Sequence, residues 1–266
     1  MEMDNQRNFI MTPVHSLLSQ ASMTIACLTN GVETYPSREY ILQSLFLRMT
    51  GFQEQKLKCI CWEIASYDYE YRYRRILSNK LGECSSYSDK CAVYSDIASA
   101  IEKLNRQFNF KEFTSTLSCG DLLGPITEFY DCSRHLGWLE REYVSCSGFL
   151  WATMNSSCLA SKAKDCIFGE CKECGNKAVC SLHSEIRGMQ SLVSVFNAAV
   201  YTHRNNCAHN VESYRRNQYT FSDLCEKGDR SDNYLLRFML LMMIDYAITM
   251  LFKEWIQVSS KSLIMM

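Results

Sequence analysis

The stretch from about Asn233 to Gln257 constrains the fold more than any other part of the chain. Leu235, Phe238, Met242, Tyr246, Thr249, Phe252 and Ile256 recur at three- and four-residue steps, the period of a helix and not of a strand. Many of the residues between them are apolar too, so the helix is hydrophobic around much of its circumference. Such a helix has to be covered on most sides. Phe238 to Phe252 spans 15 residues and is interrupted by Asp245, too short and too polar for a membrane span. The expectation is a helix at the centre of a bundle or of an interface.

The rest of the chain agrees with long helices. Only 3 prolines and 11 glycines occur in 266 residues, few for a turn-rich all-β protein. An apolar fraction of 47% and a charged fraction of 21% exclude a disordered chain. Helical periodicity marks 39–66, through Ile41, Leu45, Phe46, Met49, Phe52, Leu57, Ile60, Trp62 and Ile64, with Pro36-Ser37 as its start. Residues 12–30 form a second helix, stopping near Asn30-Gly31. Further helices are expected over 89–108 and 127–151. Another begins near Ser184 and carries Met189, Leu192, Val193, Phe196, Ala199 and Val200 on one stripe. The fold class is therefore all-α. Residues 1–80 and 184–266 form the helical core, and 81–184 an irregular, partly helical, cysteine-rich insertion.

The N-terminus has no basic segment followed by an apolar one, so a secretory signal is not expected, and the protein reads as soluble and cytoplasmic. Its 15 cysteines are then mostly reduced. A net charge of −1 argues against coating nucleic acid through bulk charge. It leaves a local basic cleft open, because steering depends on where the 28 Lys and Arg lie.

One apolar helix ends in an unusual polar stretch, "HRNNCAHN" over 203–210. At about 100° per residue, Arg204 and His209 are about 140° apart, whereas Asn205 and His209 share a face. The two strong groups converge only if the helix lines a cleft, ends between them, or meets a copy of itself across a twofold axis. The residue types suit cleavage of RNA by its own 2′-hydroxyl. That reaction needs a proton acceptor and donor near neutral pH, which is histidine, and a fixed cation on the phosphate, which is arginine. Asn205 would orient the imidazole or donate to the phosphate. The bland alternative is a solvated helix end. Cys207, beside these residues, is the cysteine with a base nearby and the candidate for a redox-sensitive thiol.

"RNNCAHN" resembles the R-N-x-x-x-H form of the motif of HEPN domains, an all-helical superfamily. Many of its members are metal-independent endoribonucleases of toxin–antitoxin, CRISPR and phage-defence systems. "LFLRMTGFQEQKLK" (45–58) is similar to the first long helix of several such families. The resemblance covers 37–66 and 184–257, leaving 81–184 without a counterpart. It implies a four-helix core, a homodimer with a shared cleft, and Arg204, Asn205 and His209 as the catalytic set. It also implies RNA as substrate and an antitoxin or activating sensor protein as partner. One departure is Val211, where a subset regulated by adenylylation carries tyrosine two residues past the histidine; that mode of control is not expected. A non-catalytic helical module binding a nucleotide, RNA or a protein is the alternative.

Two other stretches carry chemistry. "CIFGECKECGNKAVCSLH" over 166–183 holds four cysteines and a histidine. Cys171-x2-Cys174 and Cys180-x2-His183 have zinc-knuckle spacing, with Gly175 permitting the tight turn and Cys166 an alternate ligand. A closed structural zinc site is expected, against the alternative of buried or free thiols. "YDYEYRYRR" over 67–75 offers Tyr71, Arg72 and Arg74 for stacking on bases and pairing with phosphates. Its alternative is an amphipathic helix end or an edge strand with half-buried tyrosines. Arg215 and Arg216, just past His209, are candidates for holding the substrate backbone. Arg134-His135 reads as structural.

Overall fold

The computed structural model describes residues 2–28, 32–78, 84–109, 112–113, 120–133, 196–209 and 234–264. Among them every regular element is helical and there is no strand. The helices are α1 (Glu2–Met11), α2 (Ser16–Ala26), α3 (Tyr35–Tyr67), α4 (Tyr69–Leu77), α5 (Tyr87–Leu104), α6 (Gly120–Ser133), α7 (Thr202–His209) and α8 (Tyr234–Ile264). A short 3-10 turn, Val32–Thr34, leads into α3, and a π-helical turn, Asn197–Tyr201, leads into α7.

α8 is the central helix the sequence calls for, but at 31 residues it is longer than the periodic stretch. Its segment Tyr234–Lys261 is long and apolar enough to cross a membrane, yet 83% of its most apolar window is buried inside the protein. α3, α5, α6 and α1 all pack against it. Phe238, Leu241, Ile248, Leu251, Phe252 and Trp255 are each at most 1% exposed. Asp245 is tolerated there because Lys56 of α3 meets it at 2.6 Å, with both side chains buried. The Val14 backbone N–H donates to the other carboxylate oxygen at 3.0 Å. Burial pushes both groups toward their neutral forms, Asp245 upward and Lys56 downward, and the ion pair opposes that push.

The helix expected over 12–30 is α2, shorter at both ends, and α1 precedes it as a separate helix. Pro13 has no N–H to continue a helix, so the chain turns between α1 and α2. α1 docks on the C-terminal half of α3: Gln6 donates to the Cys59 carbonyl at 3.0 Å, and Arg7 pairs with Glu63 at 2.7 Å. α3 runs unbroken through Gly51 and stops at Asp68. The Asp68 carboxylate accepts the Tyr71 backbone N–H at 2.9 Å and so caps α4.

α5 begins in a capping box: Ser86 accepts from the Asp89 N–H, and Asp89 accepts from the Ser86 N–H. Val93, Tyr94, Ile97 and Ile101 then pack into the same core as α3 and α8. Although α5 lies within 81–184, it is therefore a core helix and not an outlying part of an insertion. α6 also joins the core, through Ile126 and Phe129, despite Pro125 near its start. The expected continuation of this helix toward Trp151 lies outside the described residues, as does the helix start near Ser184.

Candidate functional site

Phe196 anchors the segment before α7 in the core, in ring contact with Tyr87 of α5. The π-helical turn follows, and the Thr202 backbone N–H reaches back five residues to the Asn197 carbonyl. A π turn carries one more residue than an α turn and is found most often at functional sites. Here it sets the rotation at which α7 meets α3.

α7 presents its residues in three directions. His203 points inward, 7% exposed, packed on Phe46 and Tyr234. Its Nε2 lies 3.3 Å from the Tyr234 hydroxyl and 3.4 Å from the Cys207 Sγ. Tyr234 in turn donates to Glu39 at 2.6 Å. The base that reaches Cys207 is thus His203, one helical turn before it.

Arg204 faces α3. Its Nη2 lies 3.1 Å and 3.3 Å from the two carboxylate oxygens of Glu54, and its Nη1 donates to the Asn205 Oδ1 at 3.1 Å. Asn205 therefore holds the guanidinium. Arg204 and Glu54 are partly exposed at 28% and 16%, so the pair stands in the wall of the protein and not in its core.

The backbone of α7 continues through His209, which removes one of the three ways in which Arg204 and His209 could converge. They lie on a single helix, about 140° apart around it and about 7.5 Å along it. The His209 side chain lies outside the described residues.

Behind Arg204 is a pocket of about 220 Å³, solvent at its mouth included, lined among others by Thr50, Glu54, Ser85, Lys90, Phe196 and Arg204. Lys90 is 2% exposed. Its ammonium donates to the Cys84 carbonyl at 3.0 Å and lies 5.7 Å from the centre of the Phe196 ring. Burial, with Arg204 as a nearby like charge, pushes it down to about 8 against the attraction of Glu54.

The tyrosine–arginine stretch is a helix, not an edge strand, and its residues separate. Tyr71 is 3% exposed and hydrogen-bonded to Asp96 at 3.2 Å, so no base can stack on it. Arg75 is also inward and ion-paired with Asp96. Arg72 and Arg74 are exposed, with Arg72 5.4 Å from the Tyr69 ring. α4 joins α3 at its C-terminal end, about 20 Å along the axis from Glu54, so these arginines are not part of the Arg204 pocket.

Arg215, Arg216, Val211, Arg134 and His135 lie outside the described residues. So do Cys166, Cys171, Cys174, Cys180 and His183. Among the described residues no group of His, Cys, Asp and Glu is arranged to hold a metal ion.

Glu54 and Lys90 were not singled out by the sequence reading. Lys90 had a signal: Lys90, Tyr94, Ile97 and Ile101 fall on one helical stripe, so a lysine occupies a core position. Comparison with protein-family models, curated proteins and solved structures finds no match for this chain.

Proposed function

We propose that the protein is a metal-independent endoribonuclease of the HEPN type, with a four-helix core built on α3, α5, α7 and α8. The observation that carries this reading is the setting of Arg204. A guanidinium held by Asn205 and, in the absence of a ligand, occupied by Glu54, beside a second buried cation, is a clamp suited to a phosphate. On the same helix His209 supplies an imidazole, the side chain suited to taking and giving a proton.

In the reaction the RNA 2′-oxygen attacks phosphorus and the P–O5′ bond breaks. The 2′-hydroxyl proton passes to a base, and a proton is delivered to the departing 5′-oxygen. The product is a 2′,3′-cyclic phosphate, and no water is consumed. His209 acts as general acid or base, Arg204 carries the charge that grows on the non-bridging oxygens, and Asn205 positions Arg204. Because Arg204 and His209 diverge on one helix, the working cleft is formed by two α7 segments of a homodimer. A role as a toxin or antiviral defence effector in the cytoplasm, held by an antitoxin or activated by a sensor protein, follows from the resemblance alone. A contribution of Arg215 and Arg216 to holding the substrate backbone follows from their position in the sequence just past His209. A structural zinc ion held by Cys171, Cys174, Cys180 and His183, with Cys166 as alternate, supplies stability and no chemical step. About one zinc per chain is expected in the purified protein.

Incubating the protein with mixed RNA in EDTA tests the enzyme. Fragments ending in 2′,3′-cyclic phosphate, absent with His209→Ala, are the expected result. Undiminished cleavage by that variant would remove the site assignment. Binding of RNA without cleavage would favour the second reading, a helical binding module that uses the same Arg204 pocket.

A further inference from the structure

Lys90 is in an unfavourable place. It lies in the first turn of α5, where the helix macrodipole already presents positive charge and the side chains favoured are acidic. It is almost fully buried, and Arg204 lines the same pocket as a like charge. Neither nearby carboxylate is available to it. Asp89 is spent on the Ser86 N–H and hydroxyl, and Glu54 on Arg204. Among the described residues no carboxylate lies within ion-pair distance of Lys90, and its one hydrogen bond is to a neutral carbonyl. Glu54 and Asp89 attract the ammonium from a distance, but neither pairs with it directly. A buried cation without a direct counterion is costly unless an anion comes to meet it.

We infer that Lys90 is a second phosphate-binding residue of this pocket, and that a phosphodiester group enters by taking Arg204 away from Glu54. Most of the 220 Å³ is open solvent, and the enclosed part holds one water molecule at most, so the pair has to open for a phosphate to be admitted. Glu54 therefore occupies the guanidinium in the absence of substrate and gives it up to a ligand of higher charge. Ser85 adds a hydroxyl to the lining, whereas the Thr50 hydroxyl is engaged with the Leu47 carbonyl at 2.9 Å. The inference rests on the ribonuclease reading for its choice of ligand, a phosphate of an RNA strand, but concerns binding and not cleavage.

The test uses the full chain and a fluorescein-labelled 2′-O-methyl oligonucleotide, which lacks the attacking hydroxyl, followed by anisotropy across a salt titration. Lys90→Met replaces the ammonium by an apolar group of similar length that suits the Phe196 face. It should weaken binding about tenfold and reduce the salt slope by about 1. Lys90→Arg should recover most of both, which a purely structural role would not. Glu54→Gln should tighten binding, since Arg204 no longer has to be released. Inorganic phosphate should compete with the wild-type protein and less well with Lys90→Met; competition equal in both would place the anion elsewhere. Wild-type affinity and slope in Lys90→Met would overturn the inference, as would a Glu54→Gln protein that binds no more tightly. If the wild-type protein binds through Lys90 yet leaves ordinary RNA intact, the ribonuclease reading fails and this one stands. If it cleaves RNA while Lys90→Met binds normally, the reverse holds.

Discussion

Arg204 and Glu54 are 150 residues apart in sequence and 3.1 Å apart in space, the one on an eight-residue helix and the other midway along a 33-residue one. The long helix is fixed by its core contacts, so the short one inherits a defined position from it. Partial exposure keeps the pair within reach of a ligand and limits what it contributes to folding.

Arg204→Ala should therefore separate activity from stability. Loss of a partly exposed ion pair costs about 1 kcal/mol or less. Loss of a preorganised donor to a developing oxyanion costs roughly 10²–10³ in rate. Single-turnover cleavage of a labelled RNA, run beside a urea titration, checks both. A variant that cleaves normally, or one that unfolds, would contradict the assignment.

The Lys56–Asp245 pair makes the opposite prediction. Asp245→Asn leaves a buried ammonium without its counterion and should cost about 3–5 kcal/mol. Combining it with Lys56→Met removes both charges, while the new amide oxygen can still accept the Val14 N–H. The double variant should recover most of the loss. Denaturant midpoints of both singles and the double form the cycle, and additive costs would mean that the two groups are not coupled.

For Lys90 the pH dependence has a definite sign. Its ammonium is held at about 8, against an ordinary value of 10.5. Below pH 8 it is charged both folded and unfolded, and folding bears the full cost of burial. Between 8 and 10.5 the folded protein gives up the proton first, so stability rises with pH. The groups that face it are Glu54 from α3, Arg204 from α7, and Cys84 and Asp89 beside it. Lys90→Met should be more stable than wild type at pH 7.5, by up to about 3 kcal/mol, with the gap closing toward pH 10.5. A gap independent of pH, read from urea midpoints, would contradict the burial of a charged group there.

The α4 residues should divide sharply. Tyr71→Ala opens a core site and should cost about 3–5 kcal/mol. Arg72→Ala with Arg74→Ala should change stability by no more than about 0.5 kcal/mol. The double arginine variant should weaken oligonucleotide binding at low salt, each lost phosphate contact lowering the salt slope by about 1. Equal thermal stability of the Tyr71 and arginine variants would contradict the inward placement of Tyr71.

What the sequence made legible is what periodicity records. α3 and α8 are long, dense stripes, and both lie where their apolar spacing put them. α1 has only the run Phe9, Ile10 and Met11 at its end as consecutive apolar residues, and it is held through Gln6 and Arg7, which a stripe does not register. α4 alternates tyrosine with charge, which reads as well as a strand edge as a helix. The Asp68 cap, a hydrogen bond three residues long, decides between them. Asp245 was visible as an interruption that argued against a membrane span, but the same residue also implied a buried cation. That cation was on the page too: Met49, Gln53, Lys56 and Ile60 follow one stripe of α3, and all four are at most 1% exposed. Glu54 was beyond reach, because nothing local distinguishes a glutamate that meets an arginine 150 positions later from one that faces water.

The π-helical turn before α7 has a genetic consequence. It holds one residue more than a regular helix would need between Phe196 and Thr202. Deleting a single codon for Ala198 or Ala199 would remove that surplus and let the turn relax into ordinary α-helix, with the residues downstream keeping their orientation, Arg204 on Glu54 and His203 on Tyr234. A deletion between Thr202 and Arg204, where no surplus exists, would instead rotate every residue beyond it by about 100°. The site thus tolerates the loss of one uncharged residue before α7 and not the same loss a few codons later.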